Sequence, residues 1–129
     1  MRRLLIAVCV LLLAVPVAAQ VRASFLLEAA VATGSGTPAR MPGPYVTLQA
    51  YGETSAATGA ATIIIEVSNL ESPATATTVD WVTACTITLT LGTTRTGDGC
   101  SMQAPWRHIR ARVSALSGTG ASVNVRIGG

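Results

Sequence analysis

The sequence predicts a small all-β protein, an antiparallel β-sandwich of jelly-roll-like type with six to eight strands. β-branched and small residues dominate the composition, and charged residues make up only 12% of the chain, with no Lys among them. From residue 45 onward, apolar and polar residues alternate with the period of two that is typical of strands. Gly, Pro or Asp interrupts this alternation about every eight to twelve residues, as expected for short strands joined by turns.

Residues 1–19 differ from the remainder of the chain. Arg2 and Arg3 precede an apolar run at 4–15, and Pro16 and small residues follow before Gln20. This is the layout of a secretory signal peptide. A dozen apolar residues form a helix of roughly 18 Å, short of the ~30 Å hydrocarbon core, so a membrane span is the weaker interpretation. We therefore expect residues 1–19 to be a signal peptide that is cleaved, or a hydrophobic N-terminal arm if it is retained. Contact with a membrane is expected only through these residues, and only if they are retained.

Residues 20–129 are expected to form a single β-sandwich domain. Once Arg2 and Arg3 are set aside, this part carries seven Arg and six acidic residues, a net charge of +1. The high isoelectric point is therefore partly a property of the N-terminal segment. The remaining charge gives no reason to expect nucleic-acid binding.

The alternating segments define the expected strands in chain order. A short apolar strand at 24–31 precedes a Gly- and Pro-rich loop at 33–44, which is expected to leave one sheet for the other. Further strands are expected at 45–51, 62–67, 79–83 and 85–91. The segment 96–99, Thr-Gly-Asp-Gly, is expected to be a turn.

The last two strands, at 106–116 and 121–127, are expected to form a hairpin. Apolar residues occupy the odd positions of both segments: Ile109, Ala111, Val113, Ala115, Ala121, Val123, Val125 and Ile127. Directly opposed residues of an antiparallel pair face the same side, so paired numbers must sum to an even value, as for Val113 with Val123. This register requires a loop of three or five residues. It also places Arg110 opposite Arg126 on the solvent face, with Arg112 beside them.

Four residues are therefore candidates for binding a partner. Arg110, Arg112 and Arg126 would face an anionic partner, such as an acidic rim on a neighbouring subunit. In the alternative interpretation, their long stems cover apolar surface and their charged ends extend into water. Trp106 follows Pro105 and is expected to anchor the start of the hairpin against the core, or to lie in an interface if it is exposed.

The residues required for catalysis or metal binding are sparse. His108 is the one His in the chain, whereas a catalytic triad needs an oriented base and zinc needs clustered His and Cys. Asp98 lacks the repeated oxygen ligands of a calcium loop, and the glycines form no phosphate-binding loop. We therefore predict a protein that is not an enzyme and that has no cofactor or metal.

Two cysteines, Cys85 and Cys100, lie outside the N-terminal segment. If residues 85–91 pair across a turn at 92–99, Cys100 lies near Leu91 and Cys85 near Trp106, beyond disulfide reach. This arrangement favours a buried thiol at Cys85. A disulfide, which export would permit, remains the alternative.

Several stretches resemble a class of small tailed-phage proteins. They are TGAATIIIEVSN (58–69), Trp81, TITLTLGTT (86–94) and, most specifically, the beginning of APWRHIRARVSALSGTGASVNVRIGG (104–129). These β-sandwich proteins are taken as head-decoration or other structural subunits of the virion. The resemblance spans residues 23–129 and implies location in the virion, binding to other virion proteins or to itself, and a homo-oligomer. The alternative is an exported binding or adhesion module of the periplasm or cell surface, which the signal peptide favours.

Overall fold

The computed structural model describes residues 24–103 and 105–129, which form two antiparallel sheets. The expected signal peptide lies outside the described residues. Within them, no helix is long and apolar enough to cross a membrane. The strands are β1 (Ser24–Ala30), β2 (Gly34–Ser35), β3 (Ala39–Arg40), β4 (Tyr45–Glu53), β5 (Ala56–Ser68), β6 (Val82–Leu91), β7 (Thr96–Gln103), β8 (His108–Thr119) and β9 (Ser122–Gly128). The count exceeds the predicted six to eight because β2 and β3 are additional strands of two residues each.

The strand order confirms the jelly-roll-like sandwich. Sheet A has the order β1-β9-β4-β7, and sheet B has the order β2-β8-β5-β6, with β3 also paired to β8. The chain returns repeatedly from one sheet to the other, as in a double-sheet jelly roll. The segment 33–44, predicted to be a loop from one sheet to the other, instead contributes β2 and β3 to sheet B, and the chain then returns to sheet A, which contains both β1 and β4.

One apolar core fills the space between the sheets. Every second residue of the long strands points inward, because successive side chains of a strand alternate between its faces. On β4 and β9 the buried residues are those predicted from the alternation. The core comprises Leu26, Val46, Leu48, Ala50, Ala61, Ile63, Ile65, Val67, Ile87, Leu89, Leu91, Ile109, Ala111, Val113, Ala121, Val123, Val125 and Ile127.

The prediction that the last two strands, β8 and β9, form a hairpin is wrong. β8 pairs with β5 in sheet B, whereas β9 pairs with β1 and β4 in sheet A. The odd residues of both strands do face the core, but they approach it from opposite sheets. The turn between them depends on Gly118, whose φ is +109° and whose added Cβ would lie 2.7 Å from Thr54 Cγ2. Ala115, predicted to be in the core, is exposed because the β5–β8 register shifts beside it.

Two local predictions are also wrong. The segment expected to be a strand at 79–83 enters a strand only at Val82, and residues 79 and 80 form a turn. The expected turn at 96–99 is instead the beginning of β7, which pairs with β4. At 96–99 the pairing with β4 outweighs the local preference for a turn, whereas at 79–81 a local turn forms, in which the Trp81 amide donates to the Thr78 carbonyl.

Cys85 and Cys100 form a disulfide, with their Cα atoms 6.9 Å apart. The expectation of a buried thiol is wrong because it assumed that β6 and β7 pair with each other. They are instead the edge strands of sheets B and A, and they lie on the same side of the sandwich. The disulfide therefore links the two sheets covalently at their edges.

Candidate functional site

Arg110 is on the outer face of sheet B, as its position in the alternation requires, but it is completely buried. Its directly opposed neighbour on β5 is Glu66, which is 3% exposed. Nε of Arg110 donates a hydrogen bond to Oε2 of Glu66 at 2.7 Å. The two side chains form a buried, charge-assisted pair.

The segment 69–81 covers this pair. The other two nitrogens of the Arg110 guanidinium donate to the carbonyl oxygens of Thr75 and Thr77. The guanidinium also lies 4.3 Å from the ring centroid of Trp81, within the range of a cation–π contact. Trp81 is itself 6% exposed and donates from Nε1 to the carbonyl of Ala74 at 2.8 Å. Arg110 therefore holds this connection against the sheet.

Arg112 contacts the same carboxylate from the next outward position of β8. Its Nε donates to Oε1 of Glu66 at 3.0 Å, and its side chain is 26% exposed. One Glu thus accepts hydrogen bonds from two Arg on a single strand. The prediction that Arg110 and Arg112 form an accessible partner-binding surface is wrong for Arg110, which is buried, whereas Arg112 is partly exposed and shares the Glu66 carboxylate with it.

Trp106 precedes β8 and is partly buried against the core, as the sequence predicted for an anchor. It also lines a cleft of about 270 Å³ at one end of sheet B. The imidazole Nδ1 of His108 is buried there without a hydrogen-bond partner. The cleft is lined by Arg40, Met41, Glu71, Trp106, Arg107 and His108.

Arg126 lies in the other sheet, so the predicted pairing of Arg110 with Arg126 is wrong. It is exposed on the outer face of sheet A, directly opposite Phe25 on one side and Gln49 on the other. Its Cζ lies 4.3 Å from the Phe25 ring centroid and 5.8 Å from the Tyr51 ring centroid. Across residues 24–103 and 105–129, Arg126 has no carboxylate within ion-pair distance.

A second Arg approaches the same tyrosine. Cζ of Arg95 lies 5.1 Å from the Tyr51 ring centroid. Arg95 also has a long ion pair of 3.8 Å with Glu53, in which both side chains are largely exposed. The two guanidinium groups border an open groove of about 320 Å³, lined by Gln49, Tyr51, Arg95, Thr96, Gly97 and Arg126.

The remainder of this face is flat and polar. On β4 the outward side chains are Tyr45, Thr47, Gln49 and Tyr51, and their partners on β7 are Gln103, Ser101, Gly99 and Gly97. The two glycines leave bare backbone beside Gln49 and Tyr51. At the far end, Nε2 of Gln103 donates to the Tyr45 hydroxyl at 2.9 Å. We call the outer face of sheet A around Phe25, Tyr51, Arg95 and Arg126 the Arg126 face.

Sequence reasoning found only Arg126 among these residues. Phe25, Tyr51 and Arg95 were missed because they lie on or beside three other strands. The available signal was the position of Tyr45 and Tyr51 on the outward face of β4, since aromatic residues are enriched at binding surfaces.

The described residues contain no cluster of His, Cys, Asp or Glu that could hold a metal. Comparisons of the chain with protein-family models, with curated proteins and with solved structures found no match.

Proposed function

We propose that this protein is a non-enzymatic, exported binding domain that attaches to a carboxylate-bearing surface through the Arg126 face. The observation that carries the proposal is the pair of guanidinium groups, Arg95 and Arg126, held over one tyrosine ring. Planar guanidinium groups bind carboxylates through two parallel hydrogen bonds. Stacking on Phe25 and Tyr51 fixes Arg126 before a ligand arrives, which lowers the entropy lost on binding.

The Cys85–Cys100 disulfide supports export. Disulfides persist in oxidising compartments and are rare in the cytosol. The layout of residues 1–19 is that of a signal peptide, so two separate features of the chain favour the same location.

A virion structural subunit, which binds other virion proteins or its own copies, is the second candidate. Three large apolar side chains favour a protein contact: Leu70, Val79 and Val82 are 50%, 92% and 53% exposed. All three lie in or beside the segment between β5 and β6, away from the Arg126 face. Jelly rolls occur among both viral capsid proteins and lectins, so the fold alone does not choose between the candidates.

Cosedimentation with the producing cells tests the first candidate. Cells are washed at high salt and mixed with residues 20–129, either unchanged or carrying Arg126→Gln or Arg40→Gln. Arg40 is exposed on β3, so Arg40→Gln matches the change in charge outside the Arg126 face. We expect the unchanged protein and Arg40→Gln to sediment with the cells, and Arg126→Gln to remain in the supernatant.

Equal sedimentation of all three proteins would contradict the first candidate. Analytical ultracentrifugation of the unchanged protein, Arg126→Gln and Val79→Ser tests the second candidate. Large assemblies that persist in Arg126→Gln but dissociate in Val79→Ser would favour the virion subunit. A monomer would contradict it.

A further inference from the structure

We infer that the ligand of the Arg126 face is an acidic polysaccharide, whose sugar carboxylates bind Arg126 and Arg95. This inference depends on the proposed function and names its ligand. It follows from three features of the face: the charges, the uncharged polar groups and the length of the exposed strip.

The charges require an anion. Arg126 has no carboxylate partner among the described residues, and the contact between Arg95 and Glu53 is long and exposed. Each guanidinium borders the groove and lies within cation–π distance of an aromatic ring. A carboxylate in the groove would therefore meet donors from both sides.

The uncharged groups of the face match a hydroxyl-rich ligand. Tyr45, Thr47 and Gln49 present hydroxyl and amide groups at every second position of β4, and Ser101 and Gln103 do so on β7. The exposed aliphatic residues of the described chain, namely Val31, Leu70, Val79 and Val82, lie outside these outward rows of β4 and β7.

The length of the strip indicates a polymer. Tyr45 and Tyr51 are six residues apart on the same face of β4, which corresponds to about 20 Å in a strand. Tyr45 is 64% exposed at the far end of the strip. On β7, Gly97 and Gly99 lie opposite Tyr51 and Gln49 and have no side chains that would obstruct the strip. A chain of sugars can lie along this strip, with its carboxylates at the end that holds the arginines.

Isothermal titration calorimetry with polygalacturonate tests the inference. The matched probe is the same polymer with its carboxylates methyl-esterified, which keeps the sugar rings and removes the charge. We expect the unchanged protein to bind the acid form and the ester to bind at least about tenfold more weakly, since hydrogen bonds to charged groups are the strong ones. Arg126→Gln should weaken binding of the acid form by a similar factor, and Arg40→Gln should leave it nearly unchanged.

Equal binding of the acid and ester forms would overturn carboxylate recognition. Equal losses for Arg126→Gln and Arg40→Gln would show attraction by net charge alone and would also overturn the inference. If polygalacturonate does not bind while Arg126→Gln still abolishes sedimentation with cells, the ligand is not an acidic polysaccharide but the proposed attachment face stands. Thermal melts of each variant confirm that the fold is retained.

Discussion

The Glu66 carboxylate accepts a hydrogen bond from Nε of Arg110 at 2.7 Å, and both side chains are almost completely removed from solvent. The pair lies on the outer face of sheet B, where a sandwich would ordinarily meet water. It is buried because residues 69–81 fold over it and supply two carbonyl acceptors and the Trp81 ring. The charge of Arg110, which the sequence predicts to face a partner, is thus used within the fold.

Glu66→Ala should lower the free energy of unfolding by about 3–5 kcal/mol, because it leaves the Arg110 charge buried without its partner. Urea denaturation measures the loss. Glu53→Ala is the matched control, since its contact with Arg95 is 3.8 Å long and exposed, and such pairs contribute about 0–1 kcal/mol. Equal effects of the two substitutions would contradict the structural role of Glu66.

Trp81→Ala should release the segment 69–81 from sheet B. Trp81 is buried and joins the segment to Arg110, and truncation of a buried Trp typically costs about 3–5 kcal/mol. Limited proteolysis should then cut within 69–81 before it cuts any strand. Trp106→Ala, at a partly buried position outside the segment, should lower stability without new cleavage there. Protection of the segment in Trp81→Ala would show that Trp81 does not hold it.

The disulfide should stabilise the sandwich by about 3 kcal/mol, the value expected from chain entropy for a loop of about 15 residues. The oxidised protein should therefore have a higher Tm than the protein reduced with dithiothreitol. The double variant Cys85→Ala/Cys100→Ala should melt near the reduced protein and should not respond to the reductant. A thiol assay that finds two reactive cysteines in the unfolded, unreduced protein would contradict the bond.

The fold class and the inward faces of β4 and β9 could be predicted because alternation records which side of a strand is buried. The alternation does not indicate which other strand a given strand pairs with. The same odd positions in β8 and β9 fit a hairpin or two strands facing each other across the core, and the structure has the second arrangement. The error over Cys85 and Cys100 has the same origin, since β6 and β7 also belong to different sheets.

The candidate site was harder to predict than the fold. The burial of Arg110 depends on the segment 69–81, whose sequence has no regular pattern. This segment contacts the guanidinium through two backbone carbonyls and the Trp81 ring, and β5 contacts it through Glu66. The surroundings of Arg126 come from β1 and β4, which precede it by many residues. The residues around Arg110 and Arg126 come from distant parts of the chain and form no local sequence pattern. The sequence therefore identified Arg126 but not the residues that surround it.

The central claim is that Arg110 in sheet B stabilises the fold, whereas Arg126 in sheet A attaches the protein to its partner surface. Urea denaturation of Arg110→Ala and Arg126→Ala tests this division most directly. Arg110→Ala should lose about 3–5 kcal/mol of unfolding free energy because it breaks a buried ion pair and removes the hydrogen bonds to Thr75 and Thr77. Arg126→Ala should stay within about 0.5 kcal/mol of the unchanged protein, as is usual for an exposed position. A loss at Arg126 as large as that at Arg110 would contradict the account.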